Sequence, residues 1–183
     1  MSTLKVNTIQ PESGSTINIA SGNVFSAPGL TVQTVSKSTA SGQELITTSQ
    51  TLANIPDMNI TITPKFATSK ILLIYTIHIY INSHSTLGNW QAALTSLTRS
   101  IGGGAYSTLQ DDPTTYFTIG HTQTANSHRF MGYYTWQYFD TPNTTSAIIY
   151  QVQGRSKISG GNVQFNRQSY GPPGKFTAME IAQ

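Results

Sequence analysis

Any hydrolytic, metal or proton-relay chemistry in this chain would have to come from seven carboxylates and four histidines. The carboxylates are Glu12, Glu44, Asp57, Asp111, Asp112, Asp140 and Glu180. Glycoside hydrolysis needs two of them facing each other across a cleft. The spacing offers only one close pair, Asp111 and Asp112, and it precedes Pro113. An acidic residue before proline is ordinary turn chemistry. The histidines, His78, His84, His121 and His128, show neither H-x-H nor HExxH spacing. His78 lies inside an apolar run and reads as a half-buried, hydrogen-bonding side chain. In a trimer it would approach the axis and meet its copies, a pH-sensitive arrangement. There is no G-x-S-x-G and no P-loop, and Gly102 to Gly104 lack the Lys and Ser/Thr that complete a phosphate cradle. Without cysteine, disulfide frameworks and thiolate metal sites are excluded. The expectation is a protein that is not an enzyme and carries no cofactor or metal.

The aromatic residues are the next candidates for chemistry. Trp90, Tyr133, Tyr134, Trp136 and Tyr138 could stack on a sugar, but their alternation favours core or subunit packing. Charged residues make up only 9% of the chain, against about 25% in ordinary globular proteins. The net charge of +3 comes from 10 Lys and Arg against 7 Asp and Glu, with no basic run. Nucleic-acid binders cluster their charge, so no nucleic-acid partner is expected. The N-terminus has no apolar core of a signal peptide, which leaves the sequons at Asn59 and Asn143 without a secretory context. The longest apolar run, ILLIYTIHIYI (residues 71–81), is well short of the ~20 residues of a membrane helix, so no membrane insertion is expected.

Strands must position whatever these residues do. Ser, Thr, Asn, Gln and Gly replace the missing charge, a mixture suited to β-structure and loops. Segments TVQTVSK, ELITT and MNITITP precede KILLIYTIHIYIN (residues 70–82), the clearest strand. One of its faces carries Ile71, Leu73, Tyr75, Ile77, Ile79 and Ile81 and should meet the core. The other carries Leu72, Ile74, Thr76, His78, Tyr80 and Asn82. Its apolar beginning is expected to touch a partner subunit, and its polar end water. Further strands are expected over 90–100, 130–140, 144–156, NVQFN and 175–183. Phe130, Tyr134, Trp136 and Tyr138 should share one face, as should Ile148, Tyr150 and Val152. Eight or more short strands separated by turn signals predict a sandwich, jelly roll or barrel. Residues 101–129 read as a long polar loop.

Residues 1–30 stand apart. Leu4 and Val6, then Ile17 and Ile19, alternate with polar neighbours, and PESGS and SAPG break the pattern. Such thin strands gain burial only against copies of themselves or another protein. The stretch MSTLKVNTIQPESGSTINIASG resembles the N-terminal segments of fibre and appendage proteins of bacteriophages, cyanophages especially. The matching residues are Leu4, Lys5, Val6, Ile9, Gln10, Thr16, Ile17 and Ile19. ITPKFATSKILLI, LTRSIGGG, DTPNTTSAIIYQVQ and FTAMEI resemble the jelly-roll heads of the same proteins, which look like complement C1q and tumour-necrosis-factor modules. Residues 105–129 match no part of that likeness.

The resemblance implies an all-β homotrimer of the virion, with an N-terminal arm or stalk (1–30) and a jelly-roll head (31–183). Leu4, Val6, Ile9, Ile17, Ile19 and Val24 would dock the arm on other virion proteins. His84, Trp90, Tyr106, Asp111, Asp112, His128 and Tyr170 are the candidate loop contacts with the host surface, where a glycan is the ligand class to expect. A capsid decoration or cement trimer, and a carbohydrate-binding lectin module, are the alternative roles for the same architecture.

Overall fold

The computed structural model describes residues 27–82, 91–111, 117–118, 129–167, 169 and 171–183. The strands among these residues are β1 (Thr31–Ser38), β2 (Leu45–Thr47), β3 (Ala53–Ile62), β4 (Lys70–Asn82), β5 (Ala92–Ile101), β6 (Ser107–Asp111), β7 (Phe117–Thr118), β8 (Arg129–Asp140), β9 (Ile148–Ser156), β10 (Asn162–Phe165) and β11 (Lys175–Ile181). They form two antiparallel sheets packed as a jelly-roll sandwich. The first runs β1-β11-β4-β10-β2, with β8 on the free edge of β4. The second runs β3-β9-β5-β6, with β7 also on β5. Each sheet takes strands from both halves of the chain, so neither half closes a core alone.

The alternation of β4 builds the core as expected. Ile71, Leu73, Tyr75, Ile77, Ile79 and Ile81 are all buried, as are Ile148, Tyr150 and Val152 of β9. Tyr134, Trp136 and Tyr138 of β8 pack against this core from one face. Trp136 stacks on Tyr75 with centroids 5.2 Å apart and planes 13° from parallel. Asp140 ties the two sheets at one end. The Arg99 guanidinium donates to its Oδ1 at 2.6 Å and the Tyr150 hydroxyl to its Oδ2 at 2.7 Å. Burial, and then the Asp140 carboxylate, push the Tyr150 hydroxyl far above its ordinary range. Glu180 is wholly buried at the same end. Burial raises its pKa, but hydrogen bonds from the Lys65 and Phe66 amides and from Gln33 Nε2 outweigh that and hold it below the usual carboxylate range.

Three expectations require correction. β3 begins at Ala53, before the expected MNITITP, because the strand runs through Pro56–Asp57 as an irregularity in its pairing with β9 between Asn54 and Asn59. Asp57 takes a left-handed φ of 60° there. The buried Gln151 side chain donates to the Ile55 and Met58 carbonyls at 3.1 and 3.2 Å, satisfying acceptors that a bulge leaves without ladder partners. Residues 101–129 are not one loop, since β6 and β7 both add to β5. The strand expected from residue 144 starts at Ile148, after a left-handed Asn143.

Gly154 shows how closely the sheets approach. A Cβ at this β9 position would lie 2.6 Å from the Phe165 ring of β10. The Gly154→Ala variant should lose roughly 1–3 kcal/mol through overpacking. Equilibrium urea unfolding would read that loss; an unchanged midpoint would show that Phe165 moves freely.

Candidate functional site

The ladder registers sort the described loops into two ends. Ala182 and Leu30 exchange backbone contacts, with Gly29 N donating to Ala182 O and Ala182 N to Leu30 O, both at 2.9 Å. The start of β1 therefore lies beside the end of β11. Ile181 pairs with Lys70, Ile71 with Asp140, and Ile101 with Ile148. These residues mark one end, called here the base. At the far end, Asn82 pairs with both Asn162 and Arg129, and Ala93 with Ser156 and Phe117.

The candidate contact residues divide accordingly. Asn82 and Gln91, which bound residues 83–90, and Arg129, which follows residue 128, stand at or next to the far end. Tyr106 is exposed in the turn between β5 and β6, at the base. The structure thus separates Tyr106 from the strand ends that flank His84, Trp90 and His128. Asp111, expected in a loop, is the last residue of β6 and pairs with Ser96; β6 is too polar to announce itself as a strand. His84, Trp90, Asp112, His128 and Tyr170, and the arm residues Leu4, Val6, Ile9, Ile17, Ile19 and Val24, lie outside the described residues. Among the described residues no group of three or more potential metal ligands comes together.

Sequence reasoning saw only the β4 part of the outer face of the first sheet. Residues paired in register share a face, which allows this face to be read row by row. One row is Ile46, Gln164, Tyr80 and Met131; another is Thr34, Met179, Leu72 and Phe139. Between them lie Tyr133 opposite His78 and two rows rich in Ser and Thr, where Thr76 bonds Thr135 at 2.8 Å and Ser36 bonds Thr177 at 2.9 Å. Phe139 is 58% exposed, Ile46 50%, Met131 49% and Tyr133 46%. Most of the large exposed apolar side chains among the described residues therefore sit on this one face. The exposed apolar side chains thus stand in rows at the two ends of the face, with the Ser- and Thr-rich rows between them.

The face also reverses an expectation. The end of β4 expected to meet water is the buried end: His78 is 1% exposed and Tyr80 3%. Tyr133 covers His78, with ring centroids 5.0 Å apart, and the Arg167 guanidinium lies 5.4 Å over the Tyr80 ring. Leu72 and Ile74, the apolar end, remain half-buried. Tyr133 reaches its position because Gly171 has no side chain; a Cβ there would overlap the Tyr133 hydroxyl.

No protein-family model matches the sequence, and no curated protein aligns with it significantly. Solved structures with a related outline include those of infectious bursal disease virus and particles derived from it. The Gx-strain structure shares 12% identity over 93% of this chain, with a TM-score of 0.35. The T=1 particle shares 11% over 92% at 0.37, and the VP2 subviral particle 10% over 98% at 0.36. The chain spans less than half the length of those proteins: 45%, 40% and 42% respectively.

His78 gives this face a pH dependence. Burial lowers the imidazole pKa below its ordinary 6.5, and its Nδ1 has no hydrogen-bond partner in the fold. The folded protein therefore holds the ring neutral, and the unfolded chain takes up the proton first as pH falls. Stability is unaffected above about pH 6.5 and declines below it, until the folded ring is also protonated. Melting temperatures between about pH 8 and about pH 5 should show this decline, and His78→Gln should flatten it. An identical slope in the variant would exclude His78 as its source.

Proposed function

We propose that the chain is a short trimeric bacteriophage fibre, docked on the particle through residues 1–30 and directed at the host by the far end of its head. One observation carries the reading: the chain enters the head at the base, beside the end of β11, while the end of β4 at Asn82 and the start of β8 at Arg129 lie opposite. An arm fixed at the base leaves the far end facing outward. The outer face of the first sheet supports the trimer. Three copies related by a closed rotation would each bury Phe139, Met131, Tyr133 and Ile46 against a neighbour, and cyclic closure is the ordinary way to satisfy such a surface. The likeness of residues 4–19 to phage appendage arms supports the docking role.

The purified full chain should elute as a trimer in size-exclusion chromatography with light scattering. The double variant Met131→Asp, Phe139→Asp should elute as a folded monomer, because both residues are exposed in the single chain. The wild-type protein should slow adsorption of its phage to host cells, and antibody labelling should place it at the tail. Even labelling over the head would identify a capsid decoration trimer instead. A wild-type protein that is monomeric, or that leaves adsorption unchanged, would overturn the fibre reading.

A further inference from the structure

Edge strands of soluble proteins are ordinarily blunted by brevity, proline, lysine or a bulge, because an open edge is a template for another strand. Among the described residues, most edges of this sandwich follow that rule. β2 has three residues and β7 two. β1 carries Lys37 and an irregularity in its pairing between Thr31 and Gln33. β3 carries Pro56 and the bulge around it, and the short β6 meets β5 with a shift of register between Leu97 and Thr98. β8 is the exception. It runs for 12 residues and pairs with β4 from Arg129 to Asp140 without a break in register. Between those two residues it has no proline and no charge. β4 lies along one side of it, and no other described strand pairs with it.

Both faces of β8 are open as well. On the outer face Met131, Tyr133, Thr135, Gln137 and Phe139 are exposed. On the inner face Tyr134, Trp136 and Tyr138 pack against the core yet stay half-buried. Their partners on β4, Tyr75 and Leu73 among them, are buried. A further strand on the side away from β4 would cover these rings.

The arm contains a segment that suits the edge. In residues 16–19, Ile17 and Ile19 alternate with Thr16 and Asn18. Laid beside β8, the two isoleucines would extend the inner aromatic row, and Thr16 and Asn18 the outer row of Thr135 and Gln137. PESGS separates this segment from residues 4–9, which remain for the particle. Residues 20–26, between it and Ala27, reach about 23 Å when extended, at roughly 3.3 Å each. Strands of a sheet stand only about 4.8 Å apart, so the arm can step across to a neighbouring copy. Symmetry favours that copy. The chain enters beside β1, at one edge of the first sheet, and β8 forms the opposite edge. A donor and an acceptor at opposite edges make a head-to-tail contact, the kind that rotation closes into a ring. Pairing of β8 with another β8 would be two-fold and would stop at a dimer.

We propose that residues 16–19 of one copy add as a strand to the free edge of β8 in the next copy, so that the arms are exchanged around the trimer. The proposal rests on the trimer reading and adds a main-chain ladder to the apolar contacts that hold the copies together.

The chain has no cysteine, so paired substitutions in the full-length protein report the contact directly. Mild oxidation of Asn18→Cys, Gln137→Cys should link copies into covalent trimers on a non-reducing gel. Peptide mapping should place the link between positions 18 and 137. Asn18→Cys, Thr135→Cys covers a register displaced by two residues. Gln137 and Thr135 are both exposed, so neither change disturbs the core. Asn18→Cys, Thr61→Cys is the control, because Thr61 is exposed on the blunted edge strand β3. Linking there should be slower by roughly tenfold or more, since no ladder holds the two positions together. Absence of a link to both 137 and 135, a link confined to one chain, or equal linking in the control overturns the proposal. Light scattering of the unoxidised wild-type protein separates the two readings. A trimer without the link removes the arm exchange and leaves the trimer standing; a monomer removes the trimer, and the exchange with it.

Discussion

The molecule depends on β4 being paired along both edges. β8 accompanies it from Ile71 to Asn82 on one side, while β11 and then β10 share the other. A strand so enclosed commits its inward face to the core and fixes the register of three neighbours at once. The outer apolar face follows, because rows of residues can align across the sheet only where register is fixed.

Much of this was legible because every second residue of β4 from Ile71 to Ile81 is apolar. The faces of β8 and β9 were read from the same period. Legibility stopped where a structure depends on partners distant in sequence. Pro56 and Asp57 look like a strand terminator, and only Gln151, on another strand, makes them a tolerable bulge. β6 has no strong alternation and exists because β5 offers it an edge. The polar end of β4 reads as wet until Tyr133 and Arg167 are placed over it. The left-handed backbone of Asn166, just after β10, cannot be seen in its letter. Polarity and aromaticity do not tell one end of the sandwich from the other, so nothing in the sequence places Tyr106 at the base.

The two interior carboxylates illustrate a general division of labour. Asp140 and Glu180 are both almost wholly buried, yet neither is a site. Each is saturated by protein donors, Arg99 and Tyr150 for one, backbone amides and Gln33 for the other. Saturated buried charge stiffens and specifies a fold.

The adjacency of Leu30 and Ala182 has a mechanical side. Tension delivered through the residues before Ala27 enters the head at the start of β1 and runs along that strand's own axis. β1 is an edge strand bonded to β11 from Thr31 to Ser38. A pull along that axis loads its ladder in shear, with the hydrogen bonds resisting together rather than opening one after another as in a zipper. The side-chain bridges Ser36–Thr177 and Lys37–Asp57 act in parallel with it, and the second joins β1 to the opposite sheet. The head is therefore braced against withdrawal along its tether, and would yield far more easily to a force that peeled β1 sideways.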